Sequence, residues 1–167
     1  NNCWDYCFGR EEEVSAQLVT IVSTMNLDGV DVDYEYCYDT SPPGQQHAGC
    51  NQVTPLYSDG KAITFLTLLT TKLRSKLDAL GSGYELTHAP MDVDVVQGTG
   101  YYNVLKTQSA TLDFLLIQFY NGISRPVADG FTNSGPAGDV SALSIYDNVA
   151  NDLFPTQPEK VVFGFCI

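Results

Sequence analysis

Ten residues, Leu27-Asp28-Gly29-Val30-Asp31-Val32-Asp33-Tyr34-Glu35-Tyr36, constrain the fold of this chain more than any other stretch. Their period is two. On a strand, Val30, Val32 and Tyr34 point to one face, and Asp31, Asp33 and Glu35 point to the other. A face made only of acids is expensive to bury in an ordinary core. A barrel satisfies both faces. The apolar residues then pack on outer helices, and the acids line the interior near its open end.

The rest of the chain supplies what such a strand needs. Residues 1–9 read as a loop carrying Trp4, Tyr6 and Phe8. A helix is predicted from Arg10. Its first turn holds Glu11, Glu12 and Glu13, which suit the positive end of a helix dipole, and Val14, Leu18, Ile21, Val22 and Met25 form its apolar stripe. Asn26 ends it. After the acid strand comes a long Pro/Gly-rich loop from Cys37 to Tyr57, which contains His47. Lys61 to Leu80 is the strongest helix, with Ala62, Phe65, Leu66, Leu69, Leu73, Leu77 and Leu80 on one face and Gly81 and Gly83 as its stop.

Tyr84 to Pro90 reads as a strand entering a loop, with His88 facing either the site or the core. Tyr101, Val104 and Leu105 mark a short helix. Leu112 to Tyr120 is an apolar strand whose near-continuous hydrophobicity suits cover on both faces. Val140, Leu143, Ile145, Tyr146 and Val149 mark a last helix, and a last strand begins near Lys160. Helix and strand alternate throughout, which predicts an α/β fold with a parallel sheet. Four strands do not close a barrel, and an eight-stranded one takes about 250 residues. The 167 residues are therefore expected to be a fragment of a (β/α)8 TIM barrel, truncated at both ends. A complete doubly wound sheet is the alternative, but no Gly-rich phosphate fingerprint accompanies it.

Charge narrows the partners. Eight basic residues against twenty acidic ones leave a formal charge of −12. That field repels nucleic acid and anionic membranes, and no apolar run is long enough to span a bilayer. The five cysteines, Cys3, Cys7, Cys37, Cys50 and Cys166, contain no Cys-x-x-Cys pair, and there are only two histidines. A zinc site is therefore not expected. Cys37 and Cys50 bracket the long loop and are candidates for a disulfide in an oxidising compartment, with scattered reduced thiols as the alternative.

The acid strand carries the chemistry. Asp28-Gly-Val-Asp31-Val-Asp33 lacks the sixth-position glycine and twelfth-position glutamate of an EF-hand calcium loop. Alternate strand residues are roughly 6.5–7 Å apart, so their carboxyls can approach one another. In a partly dry barrel mouth, repulsion and desolvation raise at least one pKa and keep a proton available. Glu35, nearest the carboxyl end of the strand, is the expected general acid/base, because barrel sites lie at that face. Asp33 lies one step deeper, and Asp31 lies below it as a tuner. Asp28 has the wrong parity to join them. No carboxylate on this strand can flank a glycosidic bond opposite Glu35, so a two-carboxylate retaining mechanism is awkward. A substrate that brings its own nucleophile removes the difficulty.

Asp28-Gly29-Val30-Asp31-Val32-Asp33-Tyr34-Glu35 resembles the DxxDxDxE signature of glycoside hydrolase family 18, the chitinase family, at every defining position. Three further segments are similar to the hevamine-like, class III branch. These are His88-Ala89-Pro90, Gln118-Phe119-Tyr120-Asn121 and Val162-Phe163-Gly164, in the family's order. The resemblance covers residues 10 to 167. It implies that the chain is part of that catalytic domain, about strands four to seven of its barrel.

The resemblance further implies that Glu35 protonates the glycosidic oxygen and that Asp33 orients the substrate's N-acetyl group and shares a proton with Glu35. The acetamido oxygen is then the nucleophile. Tyr120 bonds that group, and Gln118, Asn121, Ala89 and Met91 line the substrate subsites. The implied substrate is chitin or a chito-oligosaccharide, cut by a secreted monomer with no cofactor and no metal. The strand that normally supplies a tryptophan floor is not in the sequence, and Trp4 is in the wrong place to replace it. A chitinase-like lectin and an endo-β-N-acetylglucosaminidase acting on N-glycans are the alternatives.

Overall fold

The structure is a computed structural model, and it describes residues 3–36, 59–120, 122–124 and 141–165. Its sheet is built from β1 (Gly29–Val32), β2 (Glu85–His88), β3 (Phe114–Gln118) and β4 (Val161–Gly164). All neighbours are parallel, and the strands lie side by side in chain order. The helices are α1 (Glu11–Met25), α2 (Asp59–Leu80), α3 (Gly100–Gln108) and α4 (Ala142–Leu153). Helix and strand alternate as the sequence predicts, and each expected element is found among the described residues. The expected amino-terminal loop differs: Cys3–Cys7 is a turn of 3-10 helix.

The helices cover one face of the sheet. Val32, Leu86, His88, Leu115, Ile117 and Val161 point into that layer and are buried. Along the acid stretch, burial alternates through Val32, Tyr34 and Tyr36, which are buried, and Asp31, Asp33 and Glu35, which are exposed. Tyr34 packs edge-on to Trp4 and Tyr101 and lies parallel to Tyr36. Period-two patterning thus fixes which side of β1 meets the core.

Gly29 lets β1 approach β2. A Cβ there would lie 2.0 Å from the Glu85 carbonyl oxygen. The Glu85 N–H donates to the Asp28 carbonyl at 2.8 Å, which is the structural place of Asp28 at the strand start.

Two apolar stripes are phased differently from expectation. On α1, Ser15, Val19 and Val22 are buried, whereas Ile21 and Met25 are 47% and 66% exposed. The reason is the neighbour. α1 packs on α2, and Glu12 on this face reaches across to Lys76 at 2.6 Å and Lys72 at 2.8 Å. Those two lysines, by hydrogen bond and charge, hold the Glu12 carboxyl down at about 2. A small Ser15, its hydroxyl donating to the Glu12 carbonyl at 3.1 Å, fills the contact.

On α2, Ala62, Phe65, Leu66, Leu69, Leu73 and Leu77 are buried as predicted, but Leu80 at the helix end is 41% exposed. Each buried leucine here contributes on the order of 2 kcal/mol. Asn26, in the left-handed region at φ 52, closes α1, and Gly81 and Gly83, both with positive φ, follow α2.

β3 also departs from the reading as a strand buried on both faces. Leu115 and Ile117 are buried under the helices, but Phe114 and Leu116 are only half-buried. They line a shallow groove of about 260 Å³ on the opposite face, together with Asp31, Glu85 and Thr87.

Candidate functional site

The sheet face opposite the helices collects the polar groups. Asp31, Asp33 and Glu35 climb it toward the carboxyl ends of the strands, and each is exposed. The partly dry enclosure expected around them is therefore not formed by the described residues.

Two of the three acids are tied to other strands. Asp31 sits opposite Thr87 in the β1–β2 register, and the Thr87 hydroxyl donates to its carboxylate at 2.6 Å. Asp33 accepts a bond of 2.9 Å from the Gln118 amide. The same amide nitrogen donates to the Ala89 carbonyl at 2.8 Å. Gln118 thus joins the ends of β1, β2 and β3 through one side chain, and it is buried in doing so. Glu35 lies beyond these anchors with its side chain in solvent.

Ala89 and Met91 continue from β2 toward the same end of the sheet. Ala89 donates its N–H to the Val32 carbonyl at 3.0 Å, and Met91 makes a parallel bridge to Gln118. Met91 is buried, whereas Ala89 is half-buried. Tyr120 is half-buried one step past the last ladder bond of β3, in which Phe119 N–H donates to the Gly164 carbonyl at 3.0 Å. The structure therefore brings Asp31, Asp33, Glu35, Ala89, Met91, Gln118 and Tyr120 to one end and one face of a parallel sheet. Asn121, Cys37, Cys50 and His47 lie outside the described residues. Among the described residues there is no cluster of three or more His, Cys, Asp or Glu able to hold a metal.

His88 takes the core position. Its ring is fully buried, with Nε2 3.1 Å from the Thr70 hydroxyl and Nδ1 2.9 Å from the Tyr101 hydroxyl. The Thr70 hydroxyl donates its one hydrogen to the Leu66 carbonyl at 2.8 Å. It accepts from Nε2–H as a result, and Nδ1 accepts from Tyr101. Burial holds the ring neutral, with its pKa pushed down to about 3.

Three polar residues were not singled out by sequence reasoning. Thr87 anchors Asp31, and the pair Asp92 and Ser124 anchors the segment after β3. Asp92 is fully buried. Its Oδ1 accepts from Ile123 N–H at 3.2 Å, and its Oδ2 accepts from Ser124 N–H at 2.7 Å and the Ser124 hydroxyl at 2.5 Å. Burial pushes the Asp92 carboxyl up, and the donors of Ser124, Ile123 and Val93 pull against that. An acid placed directly after a strand end, inside the apolar run Met91-Asp92-Val93-Asp94-Val95-Val96, is the sequence signal that marks it.

This arrangement suits acid/base work on a neutral ligand. It offers one solvent-facing carboxylate, a second held in a fixed orientation by an amide, and a tyrosine two strands away at the end of β3. It lies where ligands bind parallel α/β sheets, beyond the carboxyl ends of the strands.

No protein-family model matches the chain, and no curated protein matches it. Among solved structures, it is similar to a GH18 chitinase from Pseudoalteromonas aurantia, with a TM-score of 0.56 and 23% identity over 99% of this chain and 65% of that one. It is also similar to a glycoside hydrolase family 18 N-acetylglucosaminidase from Paenibacillus barengoltzii, with a TM-score of 0.63 and 24% identity. That match covers 90% of this chain and 42% of the other. The chain spans less than two thirds of either protein, and at these identities what it shares with them is the fold.

Proposed function

We propose that this chain is the acid-bearing part of a family 18 glycoside hydrolase that cleaves β-1,4-linked N-acetylglucosamine, as in chitin, with retention of configuration. The carrying observation is the acid ladder itself. Asp31, Asp33 and Glu35 lie in sequence up one open sheet face, with Asp33 held by Gln118, on a stretch that matches the family signature. The parallel order of the strands and the fold shared with two family 18 enzymes support the same reading. In it, the sheet is about strands four to seven of a (β/α)8 barrel, and Gln118-Phe119-Tyr120-Asn121 favours the hevamine-like branch.

Glu35 donates its proton to the glycosidic oxygen as the bond to the anomeric carbon breaks. The acetamido carbonyl oxygen of the same sugar attacks that carbon, giving an oxazolinium ion. Asp33, oriented by Gln118, bonds the acetamido N–H and balances the developing positive charge, and Asp31 tunes Asp33. Tyr120 bonds the acetamido oxygen. Water then opens the ring, with Glu35 taking its proton. The substrate serves as nucleophile, because carboxylates that share one strand face do not flank the bond from opposite sides. Ala89, Met91 and Asn121 complete the subsites. The enzyme acts as a secreted monomer without cofactor.

Hydrolysis of a chito-oligosaccharide by the full-length protein tests this. Glu35→Gln is expected to lower kcat by at least about 100-fold with oligosaccharide binding retained. Internal cleavage products are expected. Tight binding with no cleavage by the wild-type protein would make it a lectin instead, and release of N-glycans with chitin left intact would make it an endo-β-N-acetylglucosaminidase.

A further inference from the structure

Asp92 bonds the chain at two points that flank Tyr120. Its backbone N–H donates to the Gln118 carbonyl at 3.3 Å, where the strand ends. Its carboxylate takes the N–H groups of Ile123 and Ser124 and the Ser124 hydroxyl. Between these anchors, Gly122 lies flat against the carboxylate. A Cβ at Gly122 would fall 1.6 Å from Asp92 Oδ1. Tyr120 lies inside this bracket.

A buried carboxylate is costly unless donors surround it. Here the donors come from Val93 on its own loop and from the segment it grips. Both carboxylate oxygens face N–H groups, so an amide in its place would set an NH2 against at least one of them. The grip therefore needs the acid, and its shape needs Gly122. Asp92 thus bonds the chain before Tyr120, at Gln118, and after it, at Ile123 and Ser124.

We propose that Asp92 is a positioning residue that fixes Tyr120 for the reaction by clamping the chain on both sides of it. This rests on the reading of Tyr120 as a contact to the substrate's acetamido group. A tyrosine whose bond strengthens as the acetamido oxygen attacks affects turnover more than binding. Small displacements of such a group cost rate steeply.

The test is a double-mutant cycle in the full-length protein, with kcat, KM and thermal midpoint measured for hydrolysis of a chito-oligosaccharide. Asp92→Asn is expected to lower kcat on the order of ten-fold, with KM moved less than about two-fold. Ser124→Ala should give a smaller fall of the same kind. In a Tyr120→Phe background, the effect of Asp92→Asn on kcat should vanish, because there is no longer a hydroxyl to place.

An unchanged kcat in Asp92→Asn, or effects of Asp92→Asn and Tyr120→Phe that multiply, would overturn the proposal. If Asp92→Asn does not fold, the same cycle between Ser124→Ala and Tyr120→Phe decides it on the same criterion. The wild-type protein is assayed first. Failure there removes the glycosidase reading, whereas an active wild type with multiplying effects removes only the role of Asp92.

Discussion

The ring of His88 stays neutral because it is fully buried, with a hydroxyl against each of its nitrogens. This has a consequence for pH. The folded-state pKa lies at about 3, against 6.5 for the free side chain. As pH falls below about 6.5, the unfolded chain takes up a proton that the folded chain refuses. His88 therefore supports the fold fully above that pH, and its support declines down to about pH 3, with a limiting slope of about 1.4 kcal/mol per pH unit. Urea unfolding of wild type and His88→Gln between pH 7.5 and 4 should show the wild-type advantage shrinking as pH drops. A constant gap would contradict it.

The neutral state of His88 was not legible from sequence, where its strand gives it a face but no partner. Asp31, Asp33 and Glu35 were legible because the signal is local: a period of two read directly from adjacent residues. The anchors Thr87, Asp92 and Ser124 were not, because each acts across strands, and pairing partners 31 or 56 residues apart leave no spacing rule in the chain.

At the scale of elements, existence and order follow from periodicity, and orientation follows from the neighbour. α1 shows the difference. Its helical period is plain, but the buried side carries Ser15 and the outward side carries Ile21 and Met25. Hydropathy alone ranks those faces wrongly. Close packing on α2, with Glu12 reaching Lys72 and Lys76, is what selects the small residue. β3 shows the same effect. Its hydrophobicity is continuous, yet Phe114 and Leu116 stay half-buried on the groove side.

Helix ends are more local and can be tested one by one. The Ser141 hydroxyl accepts the Ser144 N–H at 3.1 Å and caps α4. Ser141→Ala is expected to destabilise the protein by about 1 kcal/mol, read as a lower denaturation midpoint at unchanged m-value.

For the whole molecule, the charge of −12 gives a salt test of the proposed substrate class. A neutral chito-oligosaccharide should bind with affinity that changes less than about two-fold between low and high salt. A partly deacetylated, cationic oligosaccharide should bind more tightly at low salt and lose that gain as salt screens the field. Titrations of both at two ionic strengths check this. Equal salt dependence for the two would show that the net field plays no part.

The sheet order has a further meaning for how the molecule is made. Among the described residues, each strand bonds only to its neighbours in chain order. A polypeptide leaving the ribosome can therefore add one unit at a time, with each new strand finding its template already present. The acid face does not mature in the same way. Asp31 waits 56 residues for Thr87, and Asp33 waits 85 for Gln118. The scaffold can be assembled in sequence, but Asp33 meets its anchor only when the third strand has been synthesised, so the acid face is completed after the first strands have paired.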